Sequence, residues 1–435
     1  MACLPRSSFT NSLLPHRLHP LTQISTRTIS ISASMSSQSQ SHSRALLIDI
    51  HTHIYTPSYL KLLRNRTEPP RILPAIGSPG TSFEEEEGLQ GRLIILPGGD
   101  DGRPIGAAYW DKTEKIKFMD RHGIDGACVS LANPWLDFLE VDQAVSVAQR
   151  LNRELEAYCM APNGPGARSP DLEPLLLAEE DRLRAFGVLP LVPLQVGQDQ
   201  QAALKGVLEA VELISNLPHL CGIIIGTRGF GLGLDDSRLD PLWKALERTE
   251  LLVFIHPHYG ITAARGPESA FGPLNNGHVL PLALGFPFET TIAISRLILA
   301  GVLDRFPTLR LLLAHAAGAL PLLSARLSSC IDHDPLLASR LSHPLSVYLR
   351  KLYYDAVVYG PQELALLNSL ADPERVMFGT DHPFFPPLAR ASVAKWDSVT
   401  RNLEAVDMAP GLEKEQRDAI KGINAARLCG FKVRS

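Results

Sequence analysis

The sequence predicts an α/β fold, a (β/α)8 TIM barrel with insertions after strands 1 and 5, and three observations lead to it. Eight short apolar or β-branched runs recur from Leu46 onward, with segments of helical length between most of them. The runs are continuously apolar rather than alternating, as strands buried on both faces of a parallel sheet must be. Four of them end in ionisable residues, at the strand ends where such barrels build their sites.

The predicted strands are Leu46–His53, Gly126–Asn133, Arg184–Leu191, Gly222–Thr227, Leu251–His256, Leu311–His315, Leu352–Val358 and Arg375–Asp381. Helices are predicted over Asp142–Met160, Gln200–Ser215, Asp240–Glu250 and Thr290–Phe306, the last announced by Pro287-Phe288-Glu289. A strand-helix alternation over parallel strands calls for right-handed crossovers. Three insertions interrupt it: about Tyr55–Asp111 after the first strand, Ala161–Glu180 before the third, and His258–Pro287 after the fifth. Loops that follow strands line the mouth of a barrel, so the first and third insertions are candidate lids. The second belongs to the opposite face.

Of the 435 residues 45% are hydrophobic and 20% charged, and the net charge is -4. That balance suits one large core, assigned to residues 45–435, and offers no basic stripe for a nucleic acid. A small molecule is the expected partner. No run reaches the ~18 consecutive apolar residues of a membrane span. The six cysteines, Cys3, Cys128, Cys159, Cys221, Cys330 and Cys429, form no CxxC pair, which argues against a disulfide framework or a zinc ribbon and fits a reducing, intracellular compartment. Residues 1–44 stand apart as a leader: up to Ile48 there is no Asp, Glu or Lys, but Arg6, Arg17, Arg27 and Arg44 occur among Ser, Thr and Leu. It reads as a mitochondrial transit peptide, or as a disordered leader ahead of a true start at Met35 in a cytoplasmic protein.

The chemistry sits in Asp49-Ile50-His51-Thr52-His53, Phe254-Ile255-His256-Pro257-His258, Leu313-Ala314-His315 and Phe378-Gly379-Thr380-Asp381-His382. Residues i and i+2 of a strand share a face, so His51 and His53 can reach one ion. Alone, such a pair is as well read as two satisfied strand-end histidines. Four strand ends delivering His, His, His and Asp make convergence on a metal the better reading, with His51, His53, His256 and Asp381 as ligands. Asp49 shares their face at greater depth, as a candidate support for them. His258 and His382 read as loop histidines that shape the pocket, and His122, His219, His333 and His343 as surface residues. The fourth strand, Gly222–Thr227, has no lysine to bridge two metals, which points to one divalent ion, Zn2+ with Mn2+ or Co2+ as substitutes, and weakens a hydrolase reading.

These segments, with SLANPW (Ser130–Trp135), GLDD (Gly233–Asp236), GHVLPLALGFPFETTIA (Gly277–Ala293) and MFGTDHPFFPP (Met377–Pro387), resemble the amidohydrolase-related, aminocarboxymuconate semialdehyde decarboxylase-like barrel enzymes. Within them the resemblance is closest to the fungal uracil-5-carboxylate (iso-orotate) decarboxylases, and it covers most of residues 46–430. It implies metal binding at His51, His53, His256 and Asp381 and an acid, base or water-orienting role at His315, with Asp381 as the other candidate proton donor. It also implies substrate contacts from Arg92 in GRLIIL, Arg326 in LSARLSSC, Asn133 and Phe384, and a homodimer or higher homo-oligomer in which one arginine crosses between subunits. The sequence departs from the pattern at AHAAGALP, where Ala316 and Ala317 replace small polar or glycine residues. The implied reaction is non-oxidative decarboxylation of a small unsaturated or ring carboxylic acid. Uracil-5-carboxylate leads, followed by aminocarboxymuconate semialdehyde and salicylate- or resorcylate-type acids. A mononuclear hydrolase and a non-catalytic metal protein are the rival classes.

Overall fold

The computed structural model describes residues 44–74, 91–95, 102–160, 176–194, 198–260, 279–387 and 395–434. The chain divides into Met1–Arg44 and Ala45–Ser435, and the barrel occupies the second unit. Strand β1 (Ile48–Ile54) opens it. The insertion that follows holds a helix, Pro57–Arg64, and a small antiparallel sheet of β2 (Arg71–Pro74), β3 (Gly91–Ile94) and β4 (Arg103–Ile105). Seven more barrel strands succeed one another: β5 (Gly126–Leu131), β6 (Leu183–Val188), β7 (Leu220–Ile225), β8 (Leu252–Ile255), β9 (Leu311–Leu313), β10 (Tyr353–Asp355) and β11 (Val376–Met377). Each predicted run therefore overlaps a strand, with β1, β6 and β7 reaching one or two residues outside it, and all eight pair in parallel in chain order.

The ring is nearly closed by the segment after β11. Ile50 N donates to Phe378 O at 2.9 Å and His53 N to His382 O at 2.7 Å, and Thr52 and His382 form a parallel bridge. This seam sets the histidines of β1 beside Asp381.

The uninterrupted apolar runs follow from two cores on either side of the strands. Phe186, Ile224, Phe254 and Leu312 belong to one cluster, while their neighbours Ala185, Ile223, Val253 and Leu311 pack with the surrounding helices in the other. At ~25 cal/mol per Å2 of apolar area, each buried Phe, Leu or Ile contributes ~1.5–3 kcal/mol, so a strand buried on both sides has no position to give to a polar residue except at its ends.

Helices Val141–Met160, Gln200–Ser215 and Asp240–Thr249 lie within a residue or so of expectation. Gln200–Ser215 starts where Asp199 accepts hydrogen bonds from Gln201 N and Ala202 N. The predicted helix Thr290–Phe306 is corrected: it starts at Phe286, ends at Leu299, and resumes as Val302–Arg305 after Gly301, whose φ of 68° is left-handed and breaks the run. Upstream, a π-turn (Pro281–Gly285) joins it, so Pro281–Leu299 is long and apolar enough to cross a membrane by length and composition alone. In the fold its inner residues Ile294, Leu297 and Ile298 are core. Parts of all three insertions, residues 75–90, 96–101, 161–175 and 261–278, lie outside the described residues, His278 among them.

Candidate metal centre

Five side chains from β1 and from the segments after β8, β9 and β11 converge at the C-terminal mouth of the barrel. His51 Nε2 lies 3.0 Å from His53 Nε2. Asp381 Oδ1 is 3.3 Å from each of those nitrogens, and its Oδ2 is 3.5 Å from His315 Nε2. Ligand atoms of His51, His256, His315 and Asp381 all fall within 4.8 Å of one another.

What orients each ring is informative. His51 Nδ1 meets Asp355 Oδ2 at 2.6 Å, His53 Nδ1 meets Ser130 Oγ at 2.9 Å, and His256 Nδ1 meets Pro257 O at 2.8 Å. A carboxylate and a carbonyl only accept, and the Ser130 hydroxyl is directed to Thr52 O at 3.3 Å, so all three rings place their proton on Nδ1 and turn an Nε2 lone pair toward one point. His256 Nε2 and Asp381 Oδ1 are buried with no hydrogen-bond partner. Atoms ~2.0–2.2 Å from one ion, at octahedral to tetrahedral angles, stand ~2.8–3.6 Å apart, which is the spacing found among His51, His53 and Asp381. The donor set fits a divalent ion.

The electrostatics agree. Burial pushes His53 down to about 4, and burial together with the adjacent imidazoles pushes His256 well below its ordinary value, so both are neutral donors. Burial would raise Asp381, but His51 and the neighbouring imidazoles hold its carboxyl well below the carboxylate range. Burial would likewise lower His51, yet Asp381 and Asp355 outweigh it and raise the ring to about 10. Two buried carboxylates around one imidazole make a site that draws a cation.

His315 differs from the other three. Its Nδ1 has no partner, and its side chain keeps 15% of its surface, so its ring is neither locked nor sealed. Its backbone is held instead. His315, Ala316 and Ala317 have φ of 54°, 54° and 62°, a left-handed turn in three non-glycine residues, and Asp355 accepts from His315 N and Ala316 N at 3.0 Å each. Asp355, wholly buried, therefore grips both a proposed ligand and the proposed proton carrier. Asp49 plays a parallel part across the seam, accepting from His51 N, Thr380 N and Thr380 Oγ1 at 3.1, 3.0 and 2.6 Å. Burial pushes its carboxyl up to about 6. The loop carrying His256 is tied by Glu289, which accepts from His258 N at 2.8 Å and Tyr259 N at 3.1 Å.

A cleft of about 900 Å3 opens above these groups, with Asn133, His256, His315, Asp381 and Phe384 in its lining and Leu282, Phe286 and Phe385 among its apolar walls. Asn133 Nδ2 donates to His258 O at 2.7 Å. Arg92 is not brought there. It sits on the middle strand of the small sheet, its Nε directed to Pro74 O at 3.3 Å. The arginine at the site is Arg103 of β4, whose guanidinium lies 4.4 Å over the Phe384 ring and donates through Nη2 to the Tyr55 hydroxyl at 2.7 Å. Its Nε is buried without a partner. Arg326 is exposed on helix Leu320–His333, one turn beyond Leu322 at the cleft rim.

His258 and His382 both turn away from the cluster. His258 Nε2 lies 3.1 Å from Asp137 Oδ2, and His382 stacks on Phe118 at 3.6 Å, with its Nδ1 2.6 Å from the buried Lys115 Nζ. His122, expected at the surface, is buried and accepts from Trp396 N at 2.9 Å. His219 is half-buried against Glu156.

Residues 48–431 match the amidohydrolase family. The chain belongs to it. It is 36% identical to the Metarhizium anisopliae isoorotate decarboxylase (IDCase), whose apo crystal structure superposes with a TM-score of 0.74 over 88% of this chain and 97% of that one. It is 26% identical to the 2-amino-3-carboxymuconate-6-semialdehyde decarboxylase of Dictyostelium discoideum, over 78% of this chain and 82% of the relative. The 5-carboxyvanillate decarboxylase of Novosphingobium aromaticivorans shares the fold at 20% identity, with a TM-score of 0.59 over 89% of this chain and 96% of that one, and its structure holds manganese and 4-hydroxy-3-methoxy-5-nitrobenzoic acid. These named relatives are all carboxy-lyases. The sequence resemblance to the amidohydrolase-related decarboxylases is thus borne out at the level of the family.

Proposed function

We propose that this protein is a metal-dependent, non-oxidative decarboxylase of a ring carboxylic acid, with uracil-5-carboxylate as its substrate. One observation carries the reading: His51, His53, His256 and Asp381 gather beneath an apolar, aromatic cleft that His256, Asp381 and the unlocked His315 line, beside a buried guanidinium edge. The likeness to the isoorotate decarboxylase supports the choice of substrate.

One divalent ion held by His51, His53, His256 and Asp381, Zn2+ with Mn2+ or Co2+ as substitutes, supplies Lewis acidity toward substrate oxygens. The rest falls to the chain. Loss of CO2 straight from an unsaturated ring carbon leaves an electron pair that nothing delocalises, so the carbon is protonated first. His315 Nε2, poised against Asp381 Oδ2, holds that proton over the cleft, and Asp381 is the alternative donor. The bond to the carboxyl carbon then breaks, CO2 departs, and the electron pair restores the ring double bond. Phe384 offers a face for the ring, Asn133 an amide edge, and Arg103 a cation for a substrate oxygen. The apolar walls exclude water and strengthen each of these contacts.

Incubation of metal-loaded enzyme with uracil-5-carboxylate, and separately with the muconate, salicylate and resorcylate acids, tests this by product mass. Loss of CO2 from the uracil acid in preference to the others is expected. A product heavier by one water would make the enzyme a hydrolase, the reading that the lysine-free β7 disfavours.

A further inference from the structure

At the other end of the barrel three cysteines that share no sequence spacing come together. Cys128 lies in the first half of β5, Cys221 near the start of β7, and Cys429 is the last residue of helix Asn424–Cys429. Their Sγ atoms all lie within 4.8 Å of one another. All three are free thiols; Cys128 and Cys429 are buried, and Cys221 is the one that solvent reaches. The chain just past Cys429 is pinned by Arg184, which donates to Gly430 O at 3.0 Å and lies 4.8 Å over the Phe431 ring.

We propose that Cys128, Cys221 and Cys429 form a second metal site, selective for a soft d10 cation, Zn2+ or Cu+, that fastens the C-terminal helix to the floor of the barrel. Three sulfurs ~2.3 Å from one ion in a trigonal plane stand ~4.0 Å apart, inside the 4.8 Å within which the three Sγ atoms lie. Thiolates select such ions, whereas imidazole and carboxylate at the mouth suit harder ones. Binding of M2+ to the three thiols forms three metal-sulfur bonds and releases three protons, with no redox change. A disulfide would use two of the three sulfurs and leave the last unpaired. Cys221, the half-buried member, marks the side from which an ion would enter. The bound ion crosslinks β5, β7 and the last helix, whose cysteines lie 93 and 208 residues apart in the chain.

The test uses the full chain, reduced with a phosphine, stripped by chelator and preloaded with Mn2+ to occupy the mouth. Cd2+ is then titrated while the ultraviolet sulfur-to-cadmium band is followed; the His and Asp groups at the mouth carry no sulfur and are silent. The band should saturate at one ion per chain, and whichever of Zn2+ and Cu+ abolishes it at the lower concentration is the preferred occupant. Cys221→Ser or Cys429→Ser should weaken binding at least a hundredfold, whereas Cys330→Ser should not. The melting temperature should rise with Cd2+ in the wild type and in Cys330→Ser, but not in Cys221→Ser. Should a cluster variant fail to fold, the cadmium NMR shift of the wild-type protein decides alone: a position in the range of sulfur ligation supports the site. No band in excess Cd2+, a band surviving Cys221→Ser, or a cadmium shift typical of nitrogen and oxygen ligands would overturn it, leaving three clustered thiols that pack as small apolar groups.

Discussion

Asp355→Asn isolates the support of the metal centre from its ligands. The carboxylate accepts four hydrogen bonds, from His51 Nδ1 and His315 N on Oδ2 and from Ala316 N and Val357 N on Oδ1. An amide has one oxygen, so two donors lose their acceptor whichever way it flips. If the NH2 faces His51, the ring must accept on Nδ1 and carry its proton on Nε2, which removes a lone pair from the metal point. If the NH2 faces Ala316 and Val357, two buried N–H groups are left bare at ~1–3 kcal/mol each. The same bonds restrain three successive left-handed residues that cost ~1–2 kcal/mol apiece, so the turn bearing His315 loosens as well. Metal affinity should fall ~10–100-fold, as is usual when a ligand's partner is lost. Stability should drop by ~1–6 kcal/mol, from one bare N–H group if the amide's NH2 faces His51 to two if it faces Ala316 and Val357. Competition of Mn2+ against a chromophoric chelator, with kcat/KM measured at saturating metal and denaturant unfolding alongside, reads all three effects. Wild-type metal affinity together with wild-type kcat in the Asp355→Asn variant would refute the argument, because neither the tautomer of His51 nor the turn of His315 would then depend on the carboxylate.

His315→Ala should keep its metal and lose ~10²–10⁴ in turnover, whereas His51→Ala should lose both; equal metal loss in the two would make His315 a ligand. Mn2+, which thiolates do not favour, should bind at one ion per chain, and two tightly held Mn2+ ions would contradict a mononuclear centre. Arg103→Ala should lower kcat/KM tenfold to a hundredfold at unchanged metal content, as expected for a charge-assisted contact worth ~1.5–3 kcal/mol, with Arg92→Ala close to wild type; the reverse order would return the role to Arg92. If Arg326 reaches a neighbouring subunit's cleft, reassembling Arg326→Ala with His51→Ala chains should recover activity, and no recovery in mixed oligomers would confine Arg326 to its own chain.

What was legible in the sequence, and what was not, divides along a physical line. A barrel strand must be apolar on both faces and may be ionisable only at its end, so even β11, two residues long, was visible in Val376-Met377-Phe378 leading to Asp381. A transition-metal ligand must be one of few residue types, so the strand-end histidines and Asp381 could be picked out by chemistry alone. Their supports carry no such restriction. Asp355 lies inside a predicted strand, yet an aspartate after Tyr354 looks the same whether it orients an imidazole 304 residues away or caps a turn. Arg92 and Arg103 each follow a glycine in the same insertion, and only the pairing of β3 with β2 and β4, which sends Arg92 toward Pro74 O, separates them. Likewise Cys128, Cys221 and Cys429 obey no motif, because what joins them is the return of the last helix to the barrel floor rather than any repeat in the chain. Local periodicity and ligand chemistry are therefore written residue by residue, whereas whatever holds a ligand in place depends on which distant segments the closed barrel makes neighbours. Substitutions at those neighbours, Asp355 above all, probe the site where the sequence is silent.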